Sequence, residues 1–501
     1  MLRQLIFVLL AGWLLAACGG NDAPGGIGPG PDAAVSGTVL DQRGLPVEGV
    51  VVSDGLLTTL TDEFGNYTLD SDLSKRRFVQ VTIPAAYEIP VKDGIPQFWQ
   101  RIPEGSAKVR ADFTLTARRK AASRYTILMT ADPQIRSRNA RYDNFAFHSI
   151  DVYEEMCRDL QETAASITDR PVYSISLGDL VHNDMSLYPT YCAGIADFDF
   201  PVFNVIGNHD HVQNAATDRE AVKKFEEYLG PTCYSANIGN MHYVFVDNIL
   251  YGREDASKSY ELGLSDEIAH WLRQDLSYVP KDKTIMICAH SQMFKKYSSF
   301  STRNRNYAVY RDELLKFRNV YSWAGHNHHT YIYNYNRSEQ MPIENLTAVT
   351  VTRSTGSLRL NKHLNNDGKA QGYMIVDVDG DDVSWYYHSC GKDRSHQMRL
   401  YSPVRTGSDY VLANVWTWDD AWGPVEWWEN GVKMGEMEPC EEFDPDYVDL
   451  YATVTNKTTR KYCQPAKSFH MFRIKPSPGV KAGEVRVTDR FGTTYTEHVS
   501  W

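Results

Sequence analysis

The chain has 501 residues, more than one hydrophobic core ordinarily organises, so we expect two to four domains. Its 42% apolar and 23% charged residues are typical of a folded soluble chain and exclude wholesale disorder, a collagen-like repeat and a protein with many membrane spans. The formal charge of −11 opposes condensation on a nucleic acid backbone, so no nucleic acid partner is expected. A small anionic ligand would therefore need a local source of positive charge.

Residues 1–17 are typical of a signal peptide. Arg3 precedes an apolar run from Leu5 to Ala17, which is too short to span a bilayer but fits the apolar part of such a peptide. Leu15-Ala-Ala-Cys18 resembles a bacterial lipobox, and this resemblance implies cleavage before Cys18 and lipidation of its thiol. The alternative is an ordinary secretory signal in which Cys18 has no role.

Residues 18–33 are predicted to be a flexible tether, because nine of the thirteen residues from 19 to 31 are Gly or Pro. Several acyl chains on Cys18 would hold the protein firmly to a membrane. We therefore expect a lipid-anchored protein of the bacterial cell envelope, on the periplasmic or the cell-surface side.

Cysteine usage agrees only loosely with export. Seven cysteines remain after Cys18, so at least one thiol is unpaired. Cys440 and Cys463 share the C-terminal region and are the best candidates for a disulfide. The sequence contains no CxxC pair, which disfavours a structural zinc site.

Two stretches of the chain have β patterning. Residues 34–117 alternate short β-rich runs with glycine turns, which predicts an N-terminal β-sandwich; the stretch resembles a carboxypeptidase-regulatory-like module and has no titratable cluster. Residues 350–501 are predicted to form a C-terminal β domain, with a hairpin turn at Asn430-Gly431. Six of the 11 Trp residues lie between Trp416 and Trp501, where core packing is favoured over a sugar-binding or partner surface.

Residues 122–349 have a different pattern, in which short apolar strands alternate with amphipathic stretches. Apolar residues recur at helical spacing from Ser149 to Ala165. The alternation predicts a layered α/β domain. The predicted strands are Tyr125–Met129, Val172–Leu177, Val202–Ile206, Tyr243–Val246, Thr284–Cys288 and Val320–Ala324.

Five polar clusters directly follow five of these strands. Because the carboxyl ends of strands in open α/β sheets converge on one crevice, side chains far apart in sequence are expected to meet there. Each cluster alone is more often a turn or a satisfied polar group, but five in order predict a site for Mn, Fe or Zn. The clusters contain Asp132 and Gln134, Asp179, Asn208 and His209, His290, and finally His326 and His328.

The order of these motifs resembles the calcineurin-like metallophosphoesterase superfamily, in the exported bacterial type with N- and C-terminal β domains. The resemblance implies a core in which helices flank a β-sandwich, and a centre of two divalent or trivalent ions. One ion would be held by Asp132, Gln134, Asp179 and His328, and the other by Asp179, Asn208, His290 and His326. Asp179 would bridge the ions, and His209 would face the substrate as a catalytic acid or electrostatic partner.

The implied activity is hydrolysis of a small phosphate monoester or diester by a hydroxide that two metal ions activate. Gln134 departs from the commonest pattern, in which His occupies this position, so the metal at that position is left open. His182 stands where the purple, Fe(III)-tyrosinate branch has a tyrosine, which excludes that branch.

Two further points stay open at the sequence level. The segment from Ser291 to Arg311 carries five basic residues and no carboxylate, so it is either a cover for the crevice or a solvated loop. The alternative function is a catalytically weak or inactive surface lipoprotein whose β domains bind glycan or protein. The sequence does not indicate an oligomeric state.

Overall fold

The computed structural model describes residues 33–138, 147–251, 260–294, 304–334, 343–355 and 360–501. The predicted signal peptide, Cys18 and the tether up to residue 32 lie outside the described residues. Among the helices within the described ranges, none combines the length and the apolar character that crossing a bilayer requires.

The N-terminal region forms two small sheets that share one apolar cluster. Residues along β1 alternate between buried and half-buried positions, as expected for a strand with one face in a core. One sheet has the order β10-β1-β4, with β9 also against β1, and the other has the order β3-β2-β5-β8. The strands are β1 Val35–Asp41, β2 Val51–Ser53, β3 Thr58–Leu60, β4 Asn66–Leu69, β5 Phe78–Val81, β6 Val91–Lys92, β7 Ile95–Pro96, β8 Trp99–Arg101, β9 Val109–Arg110 and β10 Phe113–Leu115.

The central region contains two larger sheets, with orders β13-β12-β11-β22-β23 and β14-β15-β18-β19-β21-β20. Strands β11, β12 and β13 run parallel in the first sheet, and β15, β18, β19 and β21 run parallel in the second. The strands are β11 Arg124–Thr130, β12 Val172–Ser176, β13 Val202–Asn204, β14 Tyr234–Ile238, β15 Met241–Val246, β16 Ile249–Leu250, β17 Glu261–Leu262, β18 Thr284–Ala289, β19 Asn319–Ala324, β20 Tyr331–Asn334, β21 Leu346–Thr350, β22 Gly372–Asp379 and β23 Asp382–Ser389.

Helices cover the outer faces of these two sheets. Leu160 of the first helix packs behind one sheet and Leu272 of a later helix behind the other, while Phe203 and Phe245 stack between the sheets at 5.1 Å. The helices are α1 Ser149–Ser166, α2 Tyr188–Ile195, α3 Asp218–Ala221, α4 Lys223–Leu229, α5 Asp266–Ser277 and α6 Tyr307–Leu314, with a 3₁₀ turn at Met185–Leu187. This arrangement is the predicted β-sandwich flanked by helices, and it confirms the predicted fold class.

The hairpin of β22 and β23 departs from the predicted division at residue 350. It completes the first central sheet, because β22 pairs antiparallel with β11 from Arg124↔Asp379 to Met129↔Met374. The hairpin therefore belongs to the α/β core and not to a separate C-terminal β domain. Local β patterning identifies the strands but does not indicate which sheet they join.

The C-terminal region contains two further sheets, β24-β25-β29-β28 and β27-β26-β30-β31. The hairpin predicted at Asn430-Gly431 joins β26 to β27, and both turn residues have positive φ. Trp416 and Trp427 are fully buried, in agreement with core packing. The elements are β24 Met398–Tyr401, α7 Pro403–Thr406, β25 Val411–Val415, β26 Glu426–Glu429, β27 Val432–Glu436, β28 Glu438–Phe443, α8 Pro445–Ala452, α9 Lys457–Tyr462, β29 Lys467–Ile474, β30 Ala482–Thr488 and β31 Thr494–Ser500.

The predicted disulfide between Cys440 and Cys463 is wrong, because both thiols are free. Cys440 lies on β28 and is half-buried, whereas Cys463 ends α9 and is buried in a separate small cluster with Tyr447. The two residues are close in sequence and lie in the same region of the fold, but their side chains are not in contact.

Candidate active site

The predicted site residues come together at the carboxyl ends of the parallel strands. Asp132 follows β11 and Asp179 follows β12 in the first sheet, while His290 follows β18 in the second. Ligand atoms of these three residues lie within 4.8 Å of one another, and all three side chains are buried. The two sheets thus contribute to one crevice, as the strand-end pattern predicted.

One half of the crevice, which we call the Asn208 position, has four donor atoms close together. Asn208 Oδ1 lies 2.9 Å from His326 Nδ1 and 3.0 Å from His290 Nε2. His290 Nε2 in turn lies 3.2 Å from both His326 Nδ1 and Asp179 Oδ1. Neighbouring ligands of one metal ion, with bonds of about 2.0–2.1 Å at angles of about 90–109°, are separated by about 2.8–3.4 Å, so these donors fit a single ion.

His290 is oriented for that role by its other ring nitrogen. Nδ1 lies 2.8 Å from the carbonyl oxygen of Leu177, so it donates its proton there and leaves Nε2 facing the crevice. Metal-binding histidines are commonly fixed in this way.

The other half, which we call the Asp132 position, contains the remaining predicted ligands. His328 Nε2 lies 3.4 Å from Asp132 Oδ1, and Gln134 Nε2 donates a 2.9 Å hydrogen bond to Asp179 Oδ2. Asp132 Oδ1 and Gln134 Oε1 are buried and have no hydrogen-bond partner among the described residues. Buried acceptors without a donor are costly, and a metal ion would satisfy both.

The backbone is strained at these positions. Five of the seven predicted ligands have φ between 43° and 67°, in the left-handed region that non-glycine residues rarely adopt. Such strain concentrates at functional sites, where the surrounding structure enforces it. The five residues are Asp132, Gln134, Asp179, His326 and His328.

Two motif glycines allow the loops to approach one another. A Cβ atom on Gly207 would lie 2.2 Å from the backbone nitrogen of Asp179, and one on Gly325 would lie 2.5 Å from Asp132 Oδ2. Neither carboxylate could keep its place beside a larger residue. The glycines in the sequence motifs therefore serve close packing of the site.

The electrostatics of the crevice favour bound positive charge. Burial raises the pKa of Asp132 to about 7, while the pKa of Asp179 is held well below its usual value because the charges of His290 and His209 outweigh its burial. Burial by itself lowers the pKa of His290, but the charge of Asp179 outweighs that effect and raises it to about 10. The carboxylates thus stabilise a positively charged His290 in the crevice. A bound metal ion would supply positive charge at the same place, so the donor set fits metal ions.

His209 lies beside the predicted ligands but is oriented differently. Its backbone N–H donates a 2.8 Å hydrogen bond to Asp179 Oδ1, and its Nδ1 lies 2.8 Å from Asn183 Oδ1. Its ring stacks on that of His182 at 4.1 Å, and its Nε2 is 3.9 Å from Asp179 Oδ2. Asn183 Oδ1 also accepts a hydrogen bond from Gln213, and an amide oxygen can only accept. His209 Nδ1 is therefore the donor and carries a proton, while Nε2 faces the crevice.

Sequence reasoning assigned no role to Asp210, although it directly follows His209. Its buried carboxylate accepts hydrogen bonds from the backbone N–H groups of Leu180, Val181 and Gly207 at 2.8–3.1 Å. It thereby ties the loop of Asp179 to the loop of Asn208. Its position directly after the predicted site residues Asn208 and His209 was the only available signal.

A second support missed at the sequence level is the buried pair of His211 and Asp247, whose Nε2 and Oδ2 atoms are 3.1 Å apart. His211 Nδ1 also lies 2.7 Å from the carbonyl oxygen of Gly207, and the Tyr251 hydroxyl donates to the carbonyl oxygen of Asn208 at 3.1 Å. These contacts hold the Asn208 loop from behind. No sequence motif links His211 to Asp247, which belongs to a different strand end.

Two of the five basic residues of the predicted cover lie among the described residues. Lys295, Lys296 and Arg303 lie outside the described residues. Arg305 forms an ion pair with Asp266 at 2.8 Å, and Arg311 forms one with Asp312 at 2.6 Å. These two arginines are therefore paired with neighbouring carboxylates.

Two facing sheets with buried carboxylates and an imidazole in one crevice define a metal-binding protein. Three family models match the sequence: N terminal of Calcineurin-like phosphoesterase over residues 33–118, Calcineurin-like phosphoesterase over 125–330, and C terminal of Calcineurin-like phosphoesterase over 354–495. The chain belongs to the calcineurin-like phosphoesterases. It is a dinuclear metallophosphoesterase that uses two divalent metal ions.

Several solved structures are similar to this chain at low identity. A dimetal phosphatase from Danio rerio is 15% identical, with a TM-score of 0.37 over 54% of this chain and 97% of that chain. A purple acid phosphatase from yellow lupin (Lupinus luteus) seeds is 12% identical, with a TM-score of 0.38 over 69% and 68%. A 5′-nucleotidase from Candida albicans is 13% identical, with a TM-score of 0.32 over 55% and 54%. No curated protein matches the sequence.

Proposed function

We propose that this metallophosphoesterase is a lipid-anchored enzyme of the bacterial cell envelope that hydrolyses small phosphate esters. The single observation that carries the proposal is the presence, in one sequence, of a lipobox-like Cys18 and of seven predicted donors at the strand ends, five of them buried. The glycine- and proline-rich tether would separate the anchor from the folded domains.

The charge of the chain supports a small substrate. At −11 the protein repels polyanions, whereas a single phosphoryl group needs only the local positive charge of the metal centre. Bound metal ions lower the pKa of a coordinated water and polarise the phosphoryl oxygens. The predicted ligands would hold the ions, and His209 lies beside one of them, Asp179.

His209 is the proposed acid for the leaving group. Its Nε2 faces the crevice, and its ring is fixed by Asn183 on one nitrogen and by His182 on one face. A protonated Nε2 would donate to the departing alkoxide, which is typically worth ~10²–10⁴-fold in rate.

A substrate panel on the metal-loaded full chain tests the activity. Nitrophenyl phosphate, bis-nitrophenyl phosphate and a set of alkyl monoesters and diesters separate the two ester classes by kcat/KM. Asp132→Asn serves as the matched control, since it removes one ligand charge with little change in volume. Two bound ions without turnover of any ester would instead favour the inactive surface lipoprotein.

The anchor is tested separately by Cys18→Ala. This variant should lose partition into a detergent phase and keep full turnover, because the tether separates Cys18 from the site. Cys440→Ala, which removes a half-buried thiol in the C-terminal region, should still partition. Detergent partition of Cys18→Ala equal to that of the wild type would refute the lipid anchor and leave the enzyme assignment intact.

A further inference from the structure

We propose that the two metal positions are unequal, and that Gln134 and Arg353 make the Asp132 position the weaker, exchangeable one. The protein would then bind its first ion at the Asn208 position and its second only at higher metal concentration. The inference concerns metal loading, and it rests on the dinuclear centre but not on the substrate or the anchor.

The Asn208 position is already arranged for an ion. Two imidazole nitrogens and two oxygens stand 2.9–3.2 Å from their neighbours, close to the spacing that a single ion imposes. Binding there needs little movement of side chains. Both imidazoles, His290 and His326, belong to this position.

Gln134 weakens the Asp132 position in two ways. Its amide oxygen is a neutral donor in a place where an imidazole would bind a transition metal more strongly. Its Nε2 also donates to Asp179 Oδ2 at 2.9 Å, and this oxygen faces the Asp132 half of the crevice. This hydrogen bond occupies a lone pair of Asp179 Oδ2 that would otherwise be available to the second ion.

Arg353 places a positive charge near the Asp132 position, where it would repel a bound cation. The residue is 1% exposed, and its chain neighbours hold the two ligand loops: Thr352 Oγ1 donates to the carbonyl oxygen of His328, and Ser354 donates to that of Ala131, both at 2.8 Å. The guanidinium donates through Nε to Asn365 Oδ1 at 3.2 Å, while Nη2 has no partner among the described residues.

The charge of Arg353 acts on two of the four predicted ligands of the weaker position. The buried guanidinium interacts electrostatically with His328 and with Asp132, and also with the carboxylate of Asp367. Asp132 gives this position a carboxylate that the Asn208 position lacks. A buried guanidinium nearby offsets that advantage, since charges interact strongly away from solvent. The remaining difference is in the number of imidazole ligands: the Asp132 position has one, His328, and the Asn208 position has two, His290 and His326.

Calorimetric titration of the metal-free full chain with Mn²⁺ tests the proposal, and electron paramagnetic resonance of the bound Mn²⁺ accompanies it. Wild type should bind one ion at least about tenfold more tightly than the second, the lower limit of what changes near metal ligands produce. The spectrum at one equivalent should be that of an isolated ion, with spin coupling only near two equivalents.

Variants then identify the positions. His326→Ala should remove the tight class of binding and His328→Ala the weak class. Gln134→His should strengthen only the second ion, by about 10–100-fold. Arg353→Gln should act in the same direction, and Arg353→Lys should bind as wild type does. Arg311→Gln, which changes a half-buried arginine paired with Asp312 on α6, should change neither constant.

Three results would overturn the proposal: equal affinities in wild type, loss of the first-filled class in His328→Ala, or no specific gain in Gln134→His. Because Arg353 is buried, its variants are compared only if their circular dichroism and melting match wild type. Gln134→His decides the question without them. Binding is measured without turnover, so failure here is distinct from failure of the proposed function.

Discussion

Replacing Asp210 by alanine tests whether the two ligand loops are held together by one carboxylate. In the folded protein, three backbone N–H groups of Leu180, Val181 and Gly207 donate to it at 2.8–3.1 Å, and its side chain is buried. Alanine would leave all three donors without an acceptor. Each such buried donor costs about 1–3 kcal/mol, so the sum is about 3–9 kcal/mol.

We expect the observed loss in the lower half of that range, about 3–5 kcal/mol, because water can enter a crevice close to solvent and replace part of the bonding. Asp210→Asn keeps one acceptor oxygen and should lose about half as much. Since the carboxylate orients the loops of both Asp179 and Asn208, the alanine variant should also bind both metal ions at least about tenfold more weakly.

Two measurements check this prediction on the full chain. Hydrogen exchange of the Leu180, Val181 and Gly207 amides should accelerate strongly, and metal titration should show the weakened binding. Asp184→Ala is the control, because the Asp184 carboxylate accepts, among the described residues, from nearby Ser186, and its removal should cost about 1 kcal/mol. Equal exchange and equal metal affinity in the two variants would refute the proposed tie between the loops.

Three further outcomes follow from the site. Asp179→Asn should abolish turnover and leave at most one bound ion, as metal analysis would show; two ions with full activity would contradict a bridging role. His209→Ala should keep both ions and lose about 10²–10⁴-fold in kcat/KM on alkyl phosphates but less on nitrophenyl phosphate, whose leaving group needs no proton. The Asp247 charge outweighs burial and raises the pKa of His211 to about 9 from 6.5, so the ion pair stabilises the fold fully below pH 6.5 and loses its effect as pH rises through 9. The stability advantage over His211→Gln, measured by denaturant unfolding, should shrink by about 3 kcal/mol across that window, and a constant difference would exclude the ion pair.

The sequence was sufficient for six strands of the α/β core and for the residues that meet in the crevice. Short apolar runs predicted β11, β12, β13, β15, β18 and β19, because buried strands have a local signature that does not depend on their partners. The order of the polar clusters after those strands identified a common crevice, because parallel strands present their carboxyl ends at one edge.

The sequence was not sufficient for pairings between distant segments. The β22–β23 hairpin has ordinary β patterning, yet it joins β11 across about 250 residues and completes the catalytic sheet. The prediction of a Cys440–Cys463 disulfide was wrong for the same reason, since nearness along the chain does not place two side chains in contact. Strand register and side-chain contact are decided by packing across the whole fold.

At the site, the sequence by itself determined which donors are present, including the unusual Gln134. Only the tertiary structure decided that the Gln134 amide binds Asp179, that Asp210 ties two loops together, and that Arg353 is buried between two residues that hold the ligand loops. These features depend on where a side chain points and on which charges share its buried surroundings. Both are consequences of packing among segments that are far apart in the chain, and no local pattern encodes them.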